Sequence, residues 1–181
     1  PYAVSRAACD LHLESFRKAY NFPVVFTRAA NVFGPGQQLY RIIPRTILSC
    51  LSGKKLELHG AGISERSFIY ISDVARATID ISLKSEPGST FHISTEKAIS
   101  IKELVEFICN ILSVRFEDIV NFSEERLGKD KNYLLDSSLI REKFGWEDKI
   151  NLVDGIKETI DWIKKNYEEI KRMQWTYKHK I

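Results

Sequence analysis

The stretch Asn21-Phe22-Pro23-Val24-Val25-Phe26-Thr27-Arg28-Ala29-Ala30-Asn31-Val32-Phe33-Gly34-Pro35-Gly36 decides the fold class. Pro23 lacks an N–H and clashes with a continuing helix, so a helix arriving from upstream must end before it, with Asn21 as its C-terminal cap. Val24-Val25-Phe26 then reads as a short strand with no polar face, the composition of a strand buried on both sides of a parallel sheet. Asn31 to Gln38 forms a loop turned by Gly34-Pro35-Gly36. Upstream, Ala7, Ala8, Leu11, Leu13, Phe16 and Ala19 recur at helical spacing between Val4 and Tyr20.

Downstream the alternation continues. Arg41 to Leu51 is predicted helical, entered through Pro44 near its first turn, where the missing N–H costs least. Leu56 to Leu58 and Ser67 to Ile71 read as strands around a loop bearing Gly60 and Gly62. Ser72 is placed to cap a helix running to about Lys84, with Asp73 in its first turn. Thr90 to Ile93 and Val120 to Phe122 are strand-like. Ser100-Ile-Lys-Glu103 is a capping box ahead of the apolar stripe Leu104, Val105, Ile108, Ile111 and Leu112. Asp136 caps a short helix ending near Gly145, and Asn151 starts a helix carrying Val153, Ile156, Ile160 and Ile163. Strands alternating with helices mean α/β architecture.

Composition narrows the function classes. The 181 residues are 44% hydrophobic and 28% charged, ordinary for a soluble globular chain. The apolar runs stop well short of the roughly 20 residues that cross a bilayer, so no membrane partner is expected. Cys9, Cys50 and Cys109 are odd in number and widely spaced within apolar stretches. They read as small buried hydrophobes in a reducing, cytoplasmic setting, neither bridges nor metal ligands. The net charge of +3 is mild, and Lys171, Arg172, Lys178 and Lys180 read as a solvated basic tail. No motif accompanies them that would make this a nucleic-acid binder. The chain opens at Pro1 and runs at once into helical sequence, so a preceding half is expected.

Tyr2 and Arg6 stand four residues apart, which puts a phenol and a cation on one helical face. Such a cation favours tyrosinate, as a general acid/base requires. Taken alone, the pair reads more readily as an exposed tyrosine and a surface arginine. Its context is informative. Pro1-Tyr-Ala-Val-Ser-Arg6, Thr27-Arg-Ala-Ala-Asn-Val-Phe-Gly-Pro35, Arg66-Ser-Phe-Ile-Tyr-Ile-Ser-Asp73 and Arg126-Leu-Gly-Lys-Asp130 follow one another in a fixed order. Tyr133-Leu-Leu-Asp136, Phe144-Gly-Trp146 and Gly155-Ile-Lys-Glu-Thr-Ile-Asp-Trp162 come after them. This ordered set resembles the extended short-chain dehydrogenases/reductases, in the branch of nucleotide-sugar 4,6-dehydratases and 4-epimerases, up to about Asn166.

The resemblance implies the C-terminal part of an NAD(P)-binding Rossmann-like fold plus the smaller substrate-binding lobe. Residues 1–84 would carry the Rossmann part with interleaved substrate segments, 85–166 mainly the lobe, and 167–181 the tail. It implies an NAD-dependent dehydratase, with NADP also open, acting on a nucleotide-diphosphate sugar: oxidation at sugar C4, then elimination of water. A 4-epimerase, or a non-catalytic member that binds nucleotide sugar or NAD, stays open beside it. Tyr2 matches the catalytic tyrosine. Arg6 falls where the family usually has lysine, a departure that keeps the charge in a larger, planar group. Ala29 matches backbone lining the nicotinamide, and Asn31 a diphosphate ligand, although Asn31 also suits a turn. Arg66 and Arg126 match the two arginines that clamp the diphosphate. Arg41 and Ile42 fall near the nucleobase, as do Glu57 and His59, where a thymine site usually has proline and tyrosine; His92 reads as a hydrogen-bonded strand histidine. No G-x-x-G-x-x-G turn occurs in the sequence, so the chain alone is expected to bind NAD poorly and to be inactive. A homodimer through the helix that bears Tyr2 is the family's usual assembly.

Overall fold

The computed structural model describes residues 2–124 and 131–175. Helix α1 (Tyr2–Tyr20) precedes β1 (Phe26–Ala29) and β2 (Asn31–Phe33), and α2 (Ile42–Ser52) precedes β3 (Leu56–His59). Two short strands, β4 (Glu65–Arg66) and β5 (Phe68–Tyr70), lead into α3 (Ile71–Lys84) and β6 (Thr90–Ile93). Then come β7 (Ile99–Ser100), α4 (Ile101–Ile111), α5 (Phe116–Ile119), β8 (Val120–Ser123) and β9 (Asn132–Tyr133). Helices α6 (Ser138–Phe144), α7 (Leu152–Lys165) and α8 (Tyr167–Ile170) close the described chain.

Three parallel strand pairs carry the α/β character: β1 with β6, β2 with β5, and β3 with β8. Each pairing joins distant segments through helical crossovers, as parallel strands require. A small mixed sheet sets β4 antiparallel to β7 and parallel to β9. The register Phe26↔Thr90 through Ala29↔Ile93 explains why β1 begins later than its apolar run. Val24 instead accepts from Gly88 N–H at 2.7 Å, outside the ladder.

Three apolar clusters hold these layers. Phe33, Ile43, Ile47, Leu104, Ile156 and Ile160 knit α2, α4 and α7 over β2 and β5. Phe91, Ile93, Ala77, Ile81 and Trp146 bind α3 and α6 to β6. Leu56, Leu58, Val105 and Cys109 pack β3 against α4. The caps at Ser100/Glu103 and Asn151 form as the sequence predicts, whereas α6 is preceded by Ser137 in the cap position, with Asp136 Oδ1 accepting from Ser138 N–H at 2.9 Å from one residue further out.

Several local expectations are corrected. Ser72 does not cap α3, which begins one residue earlier with Tyr70 before it. Asp73 is fully buried and reaches a loop far downstream, accepting from Lys149 N–H and Ile150 N–H at 3.0 Å each. Cys9 is exposed, not buried. None of α1 is buried, so its apolar positions are no part of the core described here, and Val4 and Leu11 are each 73% exposed. Arg28 ties α1 to β1 through Asp10 at 2.6 Å. Of the expected basic tail, residues through Trp175 are described, with Ile170 buried and Trp175 Nε1 donating to its carbonyl. No described helix is long and apolar enough to cross a membrane.

Candidate functional site

A cleft of about 880 Å³ opens where the C-terminal end of β1, the β2 turn, the start of α2 and β4 converge. Its lining includes Tyr2, Ala29, Asn31, Arg41 and Arg66. The fold thus assembles into one concavity residues as far apart in sequence as Tyr2 and Ile101. Parallel pairing produces this: β2 and β5 end side by side, and ligand clefts in such sheets form beyond the carboxyl ends of the strands.

Each wall has a local cause. Tyr2 stands in the first turn of α1 and is 78% exposed. Ala29 and Ala30 leave the floor free of bulk where β1 ends. Asn31 is fixed twice to one carbonyl, since its backbone N–H and its Nδ2 each donate to Ser67 at 3.1 Å. Gly34 has φ +149, and a Cβ there would come within 2.6 Å of Ile71 Cγ2, so the turn needs glycine for both space and conformation. Gln37 braces the same turn, its Nε2 donating to Val32 at 2.6 Å. The sequence marked Gln37 only as a loop residue; its position just after the turn glycines was the available signal.

Arg41 is the residue before α2, in extended conformation. Arg66 Nη1 donates to the carbonyls of Glu65 (2.6 Å) and Lys131 (3.0 Å), which orients the guanidinium from β4. None of the described lining residues is acidic. A cleft with two guanidinium groups and no carboxylate favours an anion, and guanidinium forks suit phosphate oxygens.

Other predicted positions fall elsewhere. Arg6 is exposed on α1 and does not line the cleft. Arg126 lies outside the described residues. Ile42 lines the cleft, but Glu57 and His59 do not; they pair across strands with Asn121 (3.1 Å) and Ser123 (2.8 Å). His92 sits on β6 close enough to Asp136 to help hold that carboxyl below its ordinary range, after the hydrogen bonds from Ser138. A larger cavity of about 1120 Å³ lies between β5 and the loop at 148–154, lined by acids and bases of both signs and by none of the predicted residues. Among the described residues no cluster of three or more metal-ligating side chains occurs.

A family model described as GDP-mannose 4,6 dehydratase matches residues 1–159. The chain belongs to that family, within the extended short-chain dehydrogenases/reductases. It is 35% identical over 179 residues to the dTDP-D-glucose 4,6-dehydratase of Mus musculus, covering 96% of this chain and 50% of that protein. The dTDP-glucose 4,6-dehydratase of Streptomyces venezuelae, solved with NAD and TYD bound, superposes with a TM-score of 0.89 at 27% identity. That match covers 93% of this chain and 52% of the other. The UDP-glucose 4-epimerase of Thermotoga maritima, solved with UDP-glucose, matches with a TM-score of 0.85 at 26% identity, over 92% and 54% of the two chains. The chain therefore spans about half the length of the relatives it matches. The Rossmann-like α/β fold inferred from its motifs agrees with these structures.

Proposed function

We propose that this chain supplies the nucleotide-sugar side of an NAD-dependent nucleotide-sugar 4,6-dehydratase. The observation that carries the reading is the cleft that gathers Tyr2, Asn31, Arg41 and Arg66 without any acidic lining residue. In this reading Arg66, with Arg126 as its partner, holds the diphosphate, Asn31 donates to it, and Arg41 borders the nucleoside. Tyr2 takes the proton of the sugar C4 hydroxyl, and Arg6 stands one helical turn away on the same face. NAD supplies hydride acceptance when bound. In this chain Tyr2 and Ala29 fit its nicotinamide end, the small alanine leaving room at the cleft floor. The sequence holds no glycine-rich turn for the cofactor's diphosphate.

A 4-epimerase is the second reading, favoured by the likeness to the Thermotoga maritima enzyme. Both reactions begin with oxidation at C4 and part afterwards. The exposed apolar face of α1 supports a homodimer, and three free cysteines support a cytoplasmic setting. Incubating the whole protein with NAD and dTDP- or UDP-glucose tests the proposal. A 4-keto-6-deoxy sugar is expected. A galacto-configured product that keeps its water would replace the dehydratase reading with epimerisation. No product, with the nucleotide sugar still bound, would mean a binding module.

A further inference from the structure

Cys50 and Cys109, 59 residues apart in sequence, bring their sulfurs to 3.8 Å across the contact between α2 and α4. Cys50 is half-buried and Cys109 is buried, so the pair is open to solvent on the Cys50 side only. Neither thiol lines the cleft. Their placement relative to it is regular. Ile42 and Ile101, the first residues of α2 and α4, both line the cleft, and each stands eight positions before its cysteine. Eight residues of helix span about 12 Å, so the sulfurs meet about two turns from the cleft on two helices that share its wall.

We propose that Cys50 and Cys109 are an oxidisable dithiol, a covalent modification site that closes under a peroxide to staple α2 to α4. The hydrogen bond between the sulfurs holds the Cys109 thiol below its ordinary range, against burial and the carboxylates of Glu106 and Glu117, and pushes Cys50 up together with burial. The proton thus stays on Cys50, and the thiolate forms at Cys109. In the first step the Cys109 thiolate attacks an oxygen of a peroxide admitted from the Cys50 side. The O–O bond breaks, hydroxide leaves and takes a proton, and a sulfenic acid remains on Cys109. In the second, the Cys50 sulfur attacks that sulfur and gives up its proton, the S–O bond breaks, and hydroxide leaves with that proton as a second water as the disulfide forms. Two thiols lose two electrons and two protons, and hydrogen peroxide is reduced to two waters. Closing the bond requires the sulfurs to approach from 3.8 Å to about 2.05 Å. Cys9, exposed on α1 away from both, is the internal control.

The test treats the whole protein with hydrogen peroxide, blocks remaining thiols and maps peptides without reduction. The expected result is a linked pair of peptides containing Cys50 and Cys109, with loss of alkylation at both and its recovery after dithiothreitol. Cys9→Ser should leave that linkage unchanged, whereas Cys50→Ser and Cys109→Ser should each abolish it. Free thiols at both positions after treatment, over-oxidation of either cysteine without linkage, or linkage of either cysteine to Cys9 would overturn the proposal. Circular dichroism of each serine variant guards against loss of fold, and the linkage in the unmutated protein stands as evidence independently of the variants.

Discussion

Replacing Asp73 by alanine should destabilise the protein through a loop more than seventy residues away. The carboxylate is fully buried. Its Oδ2 accepts from the backbone N–H groups of Lys149 and Ile150 at 3.0 Å, and its Oδ1 from Arg76 Nη2 at 2.7 Å. The backbone carbonyl of Asp73 also accepts from Trp146 Nε1 at 3.2 Å, a bond that the substitution leaves in place. Asp73→Ala strands two backbone donors, each costing about 1–3 kcal/mol when left unsatisfied. Arg76 is 36% exposed along its side chain and still donates to Glu147 O, so it rehydrates and adds little. The sum is roughly 2–6 kcal/mol, or about 4–24 °C in Tm for a chain of this size. Asp73→Asn keeps the acceptor that both N–H groups share and turns its amide towards Arg76, so it should lose well under half as much. Thermal unfolding followed by circular dichroism, with tryptophan emission reporting on Trp146, measures both. A loss below about 0.5 kcal/mol for the alanine variant, the level of an ordinary surface change, would refute the assignment of Asp73 as the clasp of this loop.

Gly34→Ala should cost about 2–4 kcal/mol and disturb the cleft wall, and Ile71→Ala beside it should recover part of that loss, read as a non-additive double-mutant cycle in thermal unfolding. Arg66→Ala should weaken binding of a nucleoside diphosphate about tenfold to a hundredfold, with a smaller loss for Arg66→Lys, measured by calorimetry at two salt concentrations. Tyr70 donates to Glu158, and burial together with that carboxylate pushes its phenol up to about 12. A folded pKa raised above the unfolded value stabilises the protein below about 10, and this contribution disappears as pH rises towards 12. Ultraviolet titration should therefore show one tyrosine ionising late, a step absent from Tyr70→Phe.

Local chemistry was readable wherever it acts within a few residues. The Ser100/Glu103 box, the Asn151 cap and the αL glycine at Gly145 are each fixed by neighbours in the chain. The order of motifs also foretold that Tyr2, Ala29, Asn31, Arg41 and Arg66 would meet, although no single spacing did. What was hidden is set by pairing at long range. β1 starts at Phe26 because Thr90 is its partner, and nothing near Val24 reports that register. Asp73 reads as an ordinary first-turn acid until the Lys149–Ile150 loop arrives. Cys9 lies in the same kind of apolar run as Cys109, and only the exposed helix around it separates the two. Arg6 matches a motif position while the described cleft does not include it, so its role rests on the spacing to Tyr2.

The proposal stands or falls most directly on Tyr2. Tyr2→Phe in the whole protein, assayed for turnover of nucleotide-diphosphate glucose with NAD, removes one oxygen from the cleft and leaves both arginines. Turnover should fall by about 10²–10⁴, while affinity for the nucleotide sugar stays within about twofold, because the arginines of the anion site, Arg41 and Arg66, are untouched. Turnover that survives at the unmutated rate would contradict the assignment of Tyr2 as the proton acceptor.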